Sequence, residues 1–221
     1  GETCDFIDEL VIINVTPNPS EADFNNFFKD INELREKIFL PITIGGGIRK
    51  LDHVRKCFEN GADKILVNFL AHKNKLVCEQ IATIFGEQAI SIMVDYKKDE
   101  KNLSSYINSG KVFSKTLKEF IDSMKNLKFG ELILNSIDQD GTAAGLDLDC
   151  LDLIPKKFKN PVLVMGGAGK PEHFIDALSH EKISGVITAN LFNFLGKGLQ
   201  EARNFSIKKN IRLIKFEGVN I

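Results

Sequence analysis

Two glycine runs hold the residues best able to bind an anion in this sequence, Gly45-Gly46-Gly47 within PITIGGGIRK and Gly166-Gly167-Ala168-Gly169 within PVLVMGGAGK. A residue without a side chain lets a phosphate come close enough for backbone N–H groups to reach its oxygens. A tight turn would explain either run alone. The two are not independent, however: Pro41, Gly46, Gly47, Lys50 and His53 recur as Pro161, Gly166, Gly167, Lys170 and His173 at a shift of 120. KILVNFL, with Asn68, matches GVITANL, with Asn190, at 122, and Glu9-Leu10 matches Glu131-Leu132 at 122. A duplicated cradle implies a ligand with a phosphate at each end.

Other polar residues sit where strands begin or end. Asp140-Gly141-Thr142, in DQDGT, follows a strand and can orient a loop or a ligand, although an Asp-Gly turn alone would also use these types. Asp95 closes the run AISIMVD and is placed to meet a hydroxyl, whereas Lys97 and Lys98 beside it read as solvated. Glu9, Lys64 and Glu131 open their strands, and opposite charges there can pair, which lowers the cost of burying them.

Short β-branched runs alternate with longer amphipathic stretches, the pattern of βα units and a parallel sheet. Strands are expected at 9–15, 41–44, 64–68, 89–95, 131–135, 161–165 and 185–189. Helices are expected at 21–37, 50–60, 71–85, 114–127, 147–157, 171–178 and 198–209. Phe24, Phe27, Phe28 and Ile31 have helical spacing and read as core, as do Leu117, Phe120, Ile121 and Met124. The polar stretch 97–110 reads as a loop or short hairpin. Two tandem halves, 1–88 and 89–221, predict a single (βα)8 barrel domain made of two half-barrel repeats, with ligand-binding loops at the carboxyl ends of its strands. The first half has only eight residues before Glu9, so the first βα unit is expected to lie upstream of Gly1, with a partly open barrel as the alternative.

Composition narrows the function classes. The 221 residues carry 29 basic and 30 acidic side chains, which gives no global field to draw in nucleic acid or an anionic membrane. The longest apolar runs are far shorter than the roughly 20 residues of a membrane span, and the start lacks the segments of a signal peptide. A cytoplasmic protein is expected. Cys4, Cys57, Cys78 and Cys150 are scattered without metal-binding spacing and read as reduced packing thiols, so neither a metal nor another cofactor is expected.

The stretches PITIGGGIRKLDHVRKCFENGADKILVN, GELILNSIDQDGTAAGLDLDCL and NPVLVMGGAGKPEHF, with FNF after Asn190, resemble signature segments of the cyclase subunit of imidazole glycerol phosphate synthase, from histidine biosynthesis. The similarity runs from Asp8 to about Gly218, and DQDGT and FNF resemble the cyclase more than its sister isomerase. The resemblance implies an ammonia-dependent reaction. A bisphosphorylated aminoimidazole-carboxamide ribonucleotide would become imidazole glycerol phosphate and an aminoimidazole carboxamide ribotide, with ammonia from a glutaminase partner. It implies Glu119, in TLKEF, as one of two acid-base carboxylates, the other lying in the upstream strand, without which the chain alone would be a poor catalyst. It further implies phosphate or substrate contacts at Gly47, Asn68, Asp95, Asp140, Gly141, Gly167, Ala189 and Asn190, and an ammonia gate of Glu9, Lys64 and Glu131. Three positions depart from the family pattern: Asn14 replaces a common aspartate, Phe69 a small hydroxyl residue and Asn190 a serine. Those departures bear on the usual substrate. Two alternatives stand beside the cyclase: a paralogue that passes ammonia to an amidotransferase modifying a surface-polysaccharide sugar, toward which the MGGAG and TANLFNF variants lean, and a noncatalytic scaffold that docks a glutaminase.

Overall fold

A computed structural model describes residues 6–100, 102–189 and 197–214. The fold is of the α/β TIM-barrel class, parallel strands connected through helices. Two compact units make up the chain, one of residues 7–93 with 124–131, the other of 94–123 with the residues from 132 onward.

The first unit runs β1 (Leu10–Ile13), α1 (Glu21–Arg35), β2 (Ile42–Gly45), α2 (Leu51–Glu59), β3 (Lys64–Val67), α3 (Phe69–Lys73), α4 (Lys75–Phe85) and the opening residues of β4 (Ile90–Lys98). β1, β2, β3 and β4 pair in parallel in that order. All four residues of β2 are buried, as expected of a parallel strand covered on both faces. α1 begins in a capping box: the Asp23 N–H donates to Ser20 Oγ at 3.2 Å, and Asp23 Oδ2 accepts the Ser20 N–H at 2.8 Å. Its apolar stripe buries Phe24, Phe28 and Ile31. Each such side chain contributes about 2 kcal/mol of transfer free energy. The single helix expected over 71–85 is two, because Asn74 takes extended backbone angles (φ -148, ψ 71) that no α-helix accommodates.

In the second unit β4 continues to Lys98, three residues past the expected end, and leads into an antiparallel hairpin of β5 (Leu103–Ile107) and β6 (Val112–Thr116). Asn108, Ser109 and Gly110 turn the hairpin with positive φ. Val112 and Phe113, on β6, are exposed. The expected helix over 114–127 therefore shortens to α5 (Leu117–Ser123), since residues up to Thr116 are held in the ladder. β7 (Glu131–Ser136), β8 (Val162–Met165), α6 (Pro171–Leu178), β9 (Gly185–Ile187) and α7 (Gly198–Lys208) follow. No α-helix forms over 147–157: a 3-10 stretch covers Asp149–Leu153, and Pro155 cannot continue it. Phe174 of α6 packs with Ala168 and with Ala202 of α7.

Backbone pairing carries the repeat. Leu10 pairs with Ile42 and Ile13 with Gly45; at 122 and 120 residues further on, Leu132 pairs with Val162 and Asn135 with Met165. The next ladder refines the sequence alignment. Thr43 pairs with Lys64 and Leu163 with Gly185, so β3 and β9 correspond at an offset of 121, and Asn68 is level with Ala189. No helix among the described residues is long and apolar enough to cross a membrane.

Candidate active site

Each glycine run leaves a parallel strand and turns sharply before a helix. Gly46 and Gly47 have φ of 88° and 70°, Gly166 and Gly167 both 98°, where an L side chain is strained. Space is as restrictive as conformation. A Cβ on Gly46 would lie 2.1 Å from the Asn14 carbonyl oxygen, and one on Gly166 would lie 2.4 Å from that of Ser136. Asn14 and Ser136 are themselves repeat-related, so in each half the loop folds back against the end of the strand next door. Gly47, the phosphate residue expected of the first loop, sits against Pro19; Gly167, its counterpart, lies against Gly145, whose N–H donates to the Gly167 carbonyl at 2.9 Å.

Around the first loop, the departures from the family pattern have definite surroundings. Asn14 is buried, its Oδ1 accepting the Thr16 N–H at 3.0 Å, while its Nδ2 has no hydrogen-bond partner among the described residues. Phe69 carries the Arg49 guanidinium over its ring, 3.7 Å from the centroid, so a stacked cation stands where a hydroxyl was expected. Asn68 caps α3 by position without a side-chain cap bond.

Around the second loop, Asp95 is 8 % exposed and accepts a hydrogen bond of 2.8 Å from Asn135 Nδ2. It lies inside β4 rather than ending it. Asp140 and Gly141 are exposed in a turn closed by the Asp140 N–H to the Ser136 carbonyl. The residue of DQDGT that fixes a neighbouring element is Asp138, whose Oδ2 accepts the Lys98 N–H at 2.7 Å. Lys98 also pairs with Asp149 at 2.6 Å and Lys97 lies over the Tyr106 ring, so both are engaged at the surface. Ala189 is exposed, and Asn190, Cys4 and the FNF segment lie outside the described residues.

Glu119 completes a capping box for α5: its Oε2 accepts the Thr116 N–H and hydroxyl, both at 2.9 Å, and its own N–H donates to Thr116 Oγ1 at 3.2 Å. The backbone hydrogen bond from Thr116, helped by its hydroxyl, holds the carboxyl below its ordinary range.

At the strand starts of the first unit, Lys64 Nζ donates to Glu9 at 2.8 and 3.0 Å and to Glu131 at 3.1 Å. Burial pushes the Lys64 ammonium down, but the two carboxylates more than offset this, so it titrates above its usual value. The second oxygen of Glu131 accepts a hydrogen bond from the fully buried Ser91 hydroxyl. Sequence reasoning overlooked Ser91, Asn135 and Asp138. A signal for the first two was present: Ser91 and Asp95 share one face of β4, and Glu131 and Asn135 one face of β7, each pair four residues apart.

Parallel strands feeding two register-matched glycine loops define a protein of the α/β barrel class built on a repeat. Residues 5–197 match the family described as "Histidine biosynthesis protein", and the chain belongs to that family. It is 36% identical over 199 residues to a protein named putative imidazole glycerol phosphate synthase subunit hisF2 from Parasynechococcus marenigrum (strain WH8102), spanning 90% of this chain and 73% of that one. It is 35% identical over 208 residues to imidazole glycerol phosphate synthase subunit HisF from Hydrogenobaculum sp. (strain Y04AAS1) and 32% over 207 to the protein of that name from Natranaerobius thermophilus, each alignment spanning 93% of this chain and 82% of the relative.

Proposed function

We propose that this chain is a cyclase subunit of imidazole glycerol phosphate synthase. It uses ammonia from a glutaminase partner to convert a bisphosphorylated aminoimidazole-carboxamide ribonucleotide into imidazole glycerol phosphate and an aminoimidazole carboxamide ribotide. The observation that carries this reading is the pair of glycine loops, alike in sequence, register and backbone conformation, each suited to one phosphate of the substrate. Gly47 and Asn68 serve the first phosphate, and Asp140, Gly141, Gly167, Ala189 and Asn190 the second. Asp95 orients a ribose hydroxyl. Glu119 contributes acid-base chemistry. Glu9, Lys64 and Glu131 form the ammonia gate.

The test is turnover of the bisphosphate substrate by the complete protein supplied with ammonium salt; its absence would remove the cyclase reading. One observation favours a second reading. Arg49 stacked on Phe69 occupies the place of the hydroxyl expected at the first phosphate, which suits a paralogue that passes ammonia to a sugar-modifying amidotransferase. Weak affinity for the bisphosphate, together with copurification of such an enzyme, would select it.

A further inference from the structure

His53 and His173 are a pair of repeat-related residues that the phosphate reading leaves unused. Both occupy the third position of the helix that follows a glycine loop, α2 or α6. In both, the imidazole reaches back toward the loop: His53 Nδ1 accepts the Arg49 N–H at 3.4 Å, and His173 Nδ1 accepts the Gly169 N–H at 3.1 Å. Arg49 and Gly169 are themselves 120 residues apart. The usual side-chain cap is missing at both helices, whose N-cap residues are Lys50 and Lys170 and make no side-chain cap bond. Lysine has no acceptor to offer, and the imidazole at the third helical position instead holds an N–H of the loop, one residue further upstream than the side chain of an ordinary capping box reaches.

This bond has a mechanical consequence for the glycines. A glycine peptide rotates cheaply, and a cradle whose N–H groups turn freely loses affinity to the entropy of ordering them. Fixing the N–H two residues beyond Gly47 or Gly167 fixes the peptide planes leading to it. Only a neutral imidazole with its proton on Nε2 can accept at Nδ1. For His53, Glu21 Oε1 lies 3.4 Å from Nε2, which favours the proton on that nitrogen, and burial, with Lys50 adding to it, outweighs the opposing effect of Glu21 and the Gly47 backbone and holds the imidazole below its ordinary pKa.

We propose that His53 and His173 are the positioning residues of the two anion cradles, each locking its glycine loop through an Nδ1 acceptor so that the loop amides stay directed at a phosphate group. This rests on the phosphate reading above. The test uses the complete protein with His53→Leu and His173→Leu, which remove the acceptor, and His53→Asn and His173→Asn, whose side-chain oxygen can replace Nδ1. Inorganic phosphate is titrated while backbone amide resonances are followed, together with KM and kcat for the bisphosphate substrate. Each Leu variant should weaken phosphate binding at its own loop about tenfold, raise KM with little change in kcat and speed hydrogen exchange at Arg49 or Gly169. Each Asn variant should return to within about threefold of wild type. Wild-type affinity in a folded Leu variant, or an Asn variant no better than Leu, overturns the proposal. If a Leu variant does not fold, an Asn variant that folds but binds phosphate more than about tenfold weaker than wild type overturns it equally. If wild type binds no phosphate, the phosphate reading itself fails, and the proposal with it.

Discussion

Ile13 and Asn135 hold the same place in the two halves, one residue before the carbonyl that each glycine loop packs against. In the first half the position is apolar; in the second it is an amide bonded to Asp95. Asn14 and Ser136, the next pair, differ as side chains yet present the same carbonyl to Gly46 and Gly166. The first half also has a surface cluster at its loop, Glu21 with Lys50 at 3.1 Å and Lys56 at 2.6 Å. What has been kept between the halves is what the backbone needs: register, positive φ and the histidine bond. What has diverged is the set of side chains that a ligand or solvent meets.

The strongest way to break that comparison is to put a methyl group in each loop. Gly46→Ala and Gly166→Ala should each cost about 3 kcal/mol, since a Cβ would overlap a carbonyl oxygen in a backbone region already unfavourable for alanine. Urea denaturation checks this, and a loss under about 1 kcal/mol at either site would show that the loops are not equivalent. A smaller effect separates the two repeat-related glutamates. Glu131→Gln should cost about 2 kcal/mol, because it weakens the bond to Lys64 at a site 13% exposed and leaves Ser91 with a poorer acceptor. Glu9→Gln, at 41% exposure, should cost under about 1 kcal/mol. Equal losses in the same denaturation assay would contradict the asymmetry.

A pH titration sharpens the comparison further. Hydrogen bonds from Lys56 and then Lys50 lower the Glu21 pKa from 4.5 to about 2. A depressed folded pKa gives stability that is present above the unfolded value and lost as pH falls from about 4.5 to about 2. The denaturation midpoint of wild type should therefore exceed that of Glu21→Gln at neutral pH, with the gap closing as pH falls through that window. The smallest difference is expected for the thiols. Burial raises Cys57 in the first unit and Cys150 in the second to about 12, so neither should react with a disulfide reagent at pH 8 until the protein is unfolded. Rapid labelling at one alone would mark the half that opens locally.

Much of this was legible in the sequence because the repeat showed which elements correspond, and short apolar runs such as ITIG and VLVM follow a proline and lead into glycines. The failures have physical causes. Helical spacing ran through Asn74, and only its backbone angles reveal the break. Residues 112–116 pair with β5, a contact that local propensity does not encode, although Thr116 and Glu119 spell the capping box that places the helix start after them. Residues 147–157 alternate leucine and aspartate before Pro155, a pattern with no continuous helical face. At the site, the glycines were readable from their type, whereas Ser91 and Asn135 showed only as residues sharing a strand face with Asp95 and Glu131, because a buried serine or asparagine acquires its full meaning from the partner facing it.

The exposed pair Val112 and Phe113 gives the hairpin a second significance. Among the described residues β6 pairs only with β5, so it forms an edge of the sheet. Lys111 and Lys115 bracket that apolar dipeptide, and like charges on two approaching copies repel. Neutralising both lysines should therefore make concentrated protein turbid while leaving its folding midpoint unchanged.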